Sequence, residues 1–169
     1  MVFKETIQLG ELCRRLNVTD RRVRYILEQG FVPRGVPEAP STGNHRQFEP
    51  GHAFWLAMVV KLKQSGVKTP LAAEIADRAT EGLRTVTQNL SWEWSFDPRA
   101  GRFDTVHQYF VEVGDLKLIR FVTDANPSEE GLHFFPWFPI TGRRKPIEAP
   151  QLFVVLRLDL TQIAKALGN

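Results

Sequence analysis

Arg21, Arg22, Arg24 and Tyr25 fall within five residues of one another. Guanidinium groups fork onto phosphates and guanine edges, and a phenolic hydroxyl donates to phosphate oxygen, so this set suits a polyanion. If Val23, Ile26 and Leu27 face a core, helical spacing puts Arg21, Tyr25 and, slightly to one side, Arg24 on the opposite face. Arg22 lies on the flank, and Asp20 and Glu28 moderate the charge near the ends. The plainer reading of the same residues is a generic basic amphipathic helix. Charge elsewhere leans toward the first reading. Residues 1–70 carry a net +5 and the remaining 99 a net −2, so a polyanionic partner is expected at the N-terminal part.

Other candidate chemistry is sparse. The lone cysteine, Cys13, excludes an internal disulfide and a Cys-based zinc site, fits a reducing compartment, and reads as a buried structural thiol. The four histidines share no helical i,i+4 pairing, so no metal is expected. No Ser-His-Asp order, HExxH, phosphate-binding loop or nucleophile elbow occurs, and neither an enzymatic activity nor a cofactor is expected. Glu93, Asp97, Glu112 and Asp115 read as solvated strand and turn residues. The aromatic segment from His133 to Pro139, with Trp92 and Trp94, offers two readings. Trp92, Trp94, Phe134, Phe135 and Trp137 are candidates for an effector pocket, and the plainer alternative is a small aromatic core or a subunit interface.

At 43% hydrophobic residues the 169-residue chain can fill the core of one ordinary domain or two small ones. The N-terminus has no apolar leader, and the longest apolar run, Ala53 to Val60, is far short of a membrane span. A cytoplasmic, nucleoid-associated protein with no membrane partner is expected.

The elements that must position the arginines are legible as periodicity. Leu9, Leu12, Cys13 and Leu16 predict a first helix, broken at Asn17-Val18-Thr19. Thr19 or Asp20 caps a second helix over 19–29, which ends at Gly30. Arg34 to Asn44 is a Pro/Gly-rich loop, and His45 to Phe48 returns as a strand. A third helix from Pro50 buries Phe54, Ala57, Met58 and Leu62 and stops near Gly66. Thr69-Pro70 opens a fourth, with the cap at Thr69 and proline at the first helical position, fading near Gly82 or Leu90. The period then becomes two, first at Trp92, Trp94 and Phe96. His107–Val113 and Leu116–Thr123 flank a two-residue connection, Gly114-Asp115, that suits a hairpin. Thr141 to Pro150 is a loop with the basic cluster Arg143-Arg144-Lys145. Gln151–Leu158, apolar on both faces, is expected as a central strand. Leu160, Ile163, Ala164 and Leu167 close with a short amphipathic helix.

Two helices joined by a turn and ended by Gly within about twenty residues outline a helix-turn-helix. Leu9 to Thr19, then Arg21-Arg22-Val23-Arg24-Tyr25, then Gly30-Phe31-Val32-Pro33 resemble the winged helix-turn-helix of MerR-family regulators. The resemblance continues through the wing return Gly43-Asn44-His45-Arg46-Gln47-Phe48 and through Leu62-Lys63-Gln64-Ser65-Gly66-Val67. It covers roughly residues 6–80. It implies DNA contacts from Arg21, Arg22, Arg24 and Tyr25 on the recognition helix and Arg34, His45 and Arg46 at the wing. Lys61 or Lys63 on the third helix would add phosphate contacts. Ile26 stands where the family often has a second tyrosine, His45 and Phe48 replace wing tyrosines, and the long antiparallel dimer helix of the family is not evident.

The expected architecture is α+β: a mainly α winged helix-turn-helix, residues 1–82, followed by a small β-rich α+β domain, residues 83–169, for dimerisation or effector sensing. The expected function is a sequence-dependent double-stranded DNA-binding transcriptional regulator. By family resemblance it pairs as a homodimer on a pseudo-palindrome, with RNA polymerase and a small-molecule effector as further partners. Rivals are a phage or mobile-element packaging or recombination factor, a protein-interaction adaptor, and a small-molecule sensor.

Overall fold

The computed structural model describes residues 6–33, 36, 46–89, 107–124, 131–142 and 145–168. Strand β1 (Ile7–Gln8) leads directly into helix α1 (Leu9–Leu16), whose Leu9, Leu12, Cys13 and Leu16 are buried. Asn17 ends it in the left-handed region (φ 52°), and Val18 N–H returns to Cys13 O at 3.0 Å. Asn bears this conformation better than most side chains, and the backbone bonds satisfy carbonyls the helix end would orphan. Helix α2 (Asp20–Glu28) follows within three residues and buries Val23, Ile26 and Leu27. Thr19 occupies its N-cap with extended backbone but makes no side-chain cap bond. Gly30, at φ 79°, lets the chain leave α2 at a conformation costly for other residues.

Strand β2 (Gln47–Phe48) pairs antiparallel with β1, Ile7 opposite Phe48, so the returning chain clips onto the segment before α1. Helix α3 (Pro50–Gln64) buries every residue from Ala53 to Val60 and Leu62. An apolar surface all round is the mark of a central helix. Helix α4 (Thr69–Asn89) packs on it, and Trp55 Nε1 donates to Asp77 Oδ1 at 2.8 Å between them. The expected cap is displaced by one residue: Ala72 N–H bonds Lys68 O, and Thr69 is already in the helix. α4 runs past Gly82 to Asn89, so the division expected after residue 82 falls inside a helix.

The second half is an antiparallel sheet. Strands β3 (Tyr109–Gly114), β4 (Leu118–Thr123), β5 (His133–Phe134), β6 (Phe138–Pro139) and β7 (Val155–Asp159) take the order β5-β4-β3-β7, with β6 also on β4. The β3–β4 connection is Asp115-Leu116-Lys117 rather than Gly114-Asp115, because Gly114 is itself paired with Leu118. Asp115 and Leu116 take positive φ, and Lys117 N–H closes the turn on Gly114 O at 2.9 Å. The strand expected over 151–158 is shorter and, among the described residues, lies at the edge, beside β3 only. Its apolar residues Phe153, Val154 and Val155 are exposed rather than buried on two faces. The expected strand at Trp92–Phe96 lies outside the described residues.

One sheet face, carrying Val111, Val113, Ile119 and Phe121, turns toward the helices and is buried. α4 comes so close that a Cβ added at Gly82 would stand 2.4 Å from the Phe121 ring. Helix α5 (Leu160–Gly168) then returns across the molecule to pack on α1, α3 and β3. The chain is thus α+β, with helices first and sheet second, and a single hydrophobic core runs through both halves.

Candidate nucleic-acid interface

With Val23, Ile26 and Leu27 committed to the core, the remaining residues of α2 face outward. Arg21, Arg22 and Arg24 are exposed, and Tyr25 is 52% exposed, unusual for so large a ring. Arg24 Nη2 lies 3.6 Å from Asp20 Oδ2, an exposed i,i+4 pair of small energetic worth. Arg21 and Arg22 form no ion pair among the described residues. Beside this face runs the end of α3. Together they form a groove of about 1110 Å³, lined by Arg21, Arg22, Arg24 and Tyr25 from α2 and by Lys63 and Gln64 from α3. Asp20 and Glu28 also line it, leaving the groove net positive.

Lys63 and Lys61 are separated by this geometry. Two residues on a helix differ by about 200° in direction, so only one can face α2. Lys63 does: its Nζ donates to Thr69 Oγ1 at 2.5 Å and stands 5.8 Å from the centre of the Tyr25 ring. Lys61 is half-buried and does not line the groove. Arg46, just before β2, is half-buried as well. Arg34 and His45 lie outside the described residues, as do Trp92 and Trp94.

Behind the exposed face the structure is tied down. Burial pushes the Cys13 thiol up to about 12, and the carboxylate of Asp20 adds to the shift, so the thiol stays protonated and unreactive. On α1, hydrogen bonds from Arg14 and then Arg15 hold Glu11 down to about 2, at 2.6 Å from each guanidinium. Arg15 Nη1 also donates to Leu167 O at the end of α5. α1 is therefore held by the last turn of α5.

Of the candidate effector residues, Phe134, Phe135 and Trp137 are described, and they meet different partners. The Arg120 guanidinium lies 4.6 Å from the Phe134 ring and 4.5 Å from the Trp137 ring, filling the space between them. Phe135 instead packs against the core and meets His133 edge-on at 4.7 Å. Glu112 is not the solvated carboxylate expected from its sequence: it is 3% exposed. Burial alone would raise its pKa, but hydrogen bonds from Arg157 and Arg120 overrule this and hold it below the usual carboxylate range. Arg120 Nε donates to it at 2.7 Å and Arg157 Nε at 2.8 Å. The cue was present in the sequence, as charges at 112, 120 and 157 inside apolar strands. It becomes readable only with the register that places Arg120 and Arg157 on either side of Glu112. Asp115 was also missed: its carboxylate accepts from Phe153 and Val154 backbone N–H.

The family model for MerR HTH family regulatory proteins matches residues 7–79, from the first residue of β1 into α4. Residues 7–79 form a MerR-type helix-turn-helix domain. No curated protein matches the chain. α1 and α2 stand as the paired helices of this helix-turn-helix, and α2 carries the exposed basic face. Among the described residues no helix is long and apolar enough to cross a membrane.

Proposed function

We propose that this chain is a transcriptional regulator that binds double-stranded DNA with sequence dependence, laying α2 in the major groove. One observation carries the reading: Arg21, Arg22, Arg24 and Tyr25 leave the core together and line one groove with Lys63. Arg24 and Arg21 are the candidates for guanine edges, since bidentate guanidinium contacts distinguish one base from another. Tyr25 and Lys63 suit the adjoining phosphates, which fix register without reading sequence. Lys63 also holds the Tyr25 ring, so the two act as a unit.

Selection of sites from a random duplex library with the full chain tests this. A consensus with two-fold symmetry supports a dimeric, sequence-reading regulator. Salt-sensitive binding without enrichment would replace it with an architectural or packaging role. Absence of binding would sink the DNA reading and favour an adaptor whose basic helix meets an acidic protein.

A further inference from the structure

The outer edge of β7 carries a feature that the DNA-binding face does not explain. In an antiparallel pair, residues alternate between those that turn N–H and C=O toward the partner strand and those that turn both away. Asp115 N–H bonds Val154 O at 2.9 Å, so Val154 faces the β3 side. By alternation Leu156 and Leu158, opposite Val113 and Val111, also face β3, and Val155 and Arg157 turn their backbone groups outward. β7 is the outermost strand on its side among the described residues. Leading into it, Phe153 is 86% exposed, Val154 65% and Val155 47%. Asp115 holds this run in place through the Phe153 and Val154 N–H groups, at 3.2 and 2.9 Å, so its ordering cost is already met. No proline or lysine interrupts residues 153–159 to guard the edge.

The two arginines flanking Glu112 are also covered unequally. Arg120 lies between two rings, Phe134 and Trp137. Among the described residues Arg157 has only the Phe110 ring, at 5.1 Å, and 44% of its side chain is exposed. What the edge lacks among the described residues, a second aromatic ring for Arg157 and a strand for Val155 and Arg157, the same edge supplies.

We propose that β7 pairs antiparallel with β7 of a second copy of this chain, joining two sheets into one across a two-fold axis at Leu156. An axis at Arg157 would set like charges face to face. An axis at Leu156 places Val155 opposite Arg157 of the partner subunit, and the reverse, so all the outward backbone groups of both residues are used. Phe153 then lies diagonally against Arg157 of the partner subunit, giving that guanidinium its second ring. The contact is isologous and closes after two copies. It rests on the DNA-binding reading only for its purpose, presenting two recognition helices, and is tested without DNA.

Sedimentation velocity of the full chain at micromolar concentrations is the test. The expected mass is twice the 19.3 kDa of one chain. Val155→Pro removes an outward N–H and leaves the bonds to β3 in place, so it is expected to give a single chain with unchanged circular dichroism. Phe153→Ser, at a side chain that is almost wholly exposed, is expected to weaken the dimer by about tenfold and decides the matter if the proline variant fails to fold. Leu156→Cys sits on the axis and is expected to form an intermolecular disulfide, Cys13 being buried. A monomeric wild type overturns the proposal, as does a Phe153→Ser dimer as tight as wild type. A dimer without the Leu156→Cys crosslink overturns the register. A single-chain variant that still binds DNA leaves the DNA-binding reading standing.

Discussion

Two regions of the molecule display arginines on a surface, and they use them in opposite ways. On the outer sheet face, Arg120 and Arg157 are drawn onto one buried carboxylate and stacked on aromatic rings, so their charge is spent inside the fold. On α2, Arg21 and Arg22 meet no carboxylate among the described residues, and Arg24 meets only the exposed Asp20. A residue count cannot tell these regions apart. What separates them is the availability of a guanidinium to a new partner, which depends on what already holds it.

The largest expected effect breaks the sheet side of this contrast. Glu112→Ala leaves two guanidiniums without their shared anion and is expected to cost roughly 3 kcal/mol in urea unfolding, the low end for a broken buried pair because both arginines reach solvent. Its acid dependence follows from sign. Glu112 is held below its ordinary value of 4.5, so its stabilisation is fully present above that pH and is lost as pH falls through the lower folded value. Below about pH 5 the stability of the variant should therefore fall less steeply than that of wild type. An equally steep acid branch would remove Glu112 from the account.

Next in size is the junction between the regions. Gly82→Ala drives a methyl group into the buried Phe121 ring and is expected to destabilise by about 1–3 kcal/mol, read as a lower thermal midpoint. Arg24→Ala should do the reverse of Glu112→Ala. We expect the unfolding transition unmoved and DNA affinity weakened by at least about 1 kcal/mol in a titration at fixed salt. Unchanged affinity would refute the docking of α2. Smallest is Asp20→Asn, which releases Arg24 and removes a negative charge from the groove. It should tighten DNA binding by less than about 1 kcal/mol, and weaker binding would mean that Asp20 orients Arg24 rather than competing for it.

The helical half was largely legible in the sequence because its information is local. Leu9, Leu12, Cys13 and Leu16 mark one face of α1, and Asn17 and Gly30 mark where helices stop. The exposed set on α2 followed from the same spacing. The sheet half was not legible to the same degree, because strand order and register are pairings between distant residues. Phe153, Val154 and Val155 read as a buried central strand, since an apolar run looks the same in sequence whether it is covered or bare. Glu112 read as solvated because its partners come from strands eight and forty-five residues away. Lys61 and Lys63 could be told apart only once the side of α3 that meets α2 was known.

The return of α5 to α1 and α3 has a consequence in time. During synthesis α1, α2 and α3 leave the ribosome before α5, yet the surfaces of α1 and α3 that α5 covers, and the Arg15 group that bonds Leu167, have nothing to close on until α5 has been made. At 5–20 residues per second, residue 168 follows residue 79 by roughly five to twenty seconds. Throughout that interval the nascent chain carries the helix-turn-helix with an unfinished back. Those surfaces of α1 and α3 are closed only once α5 has been made and packed on them.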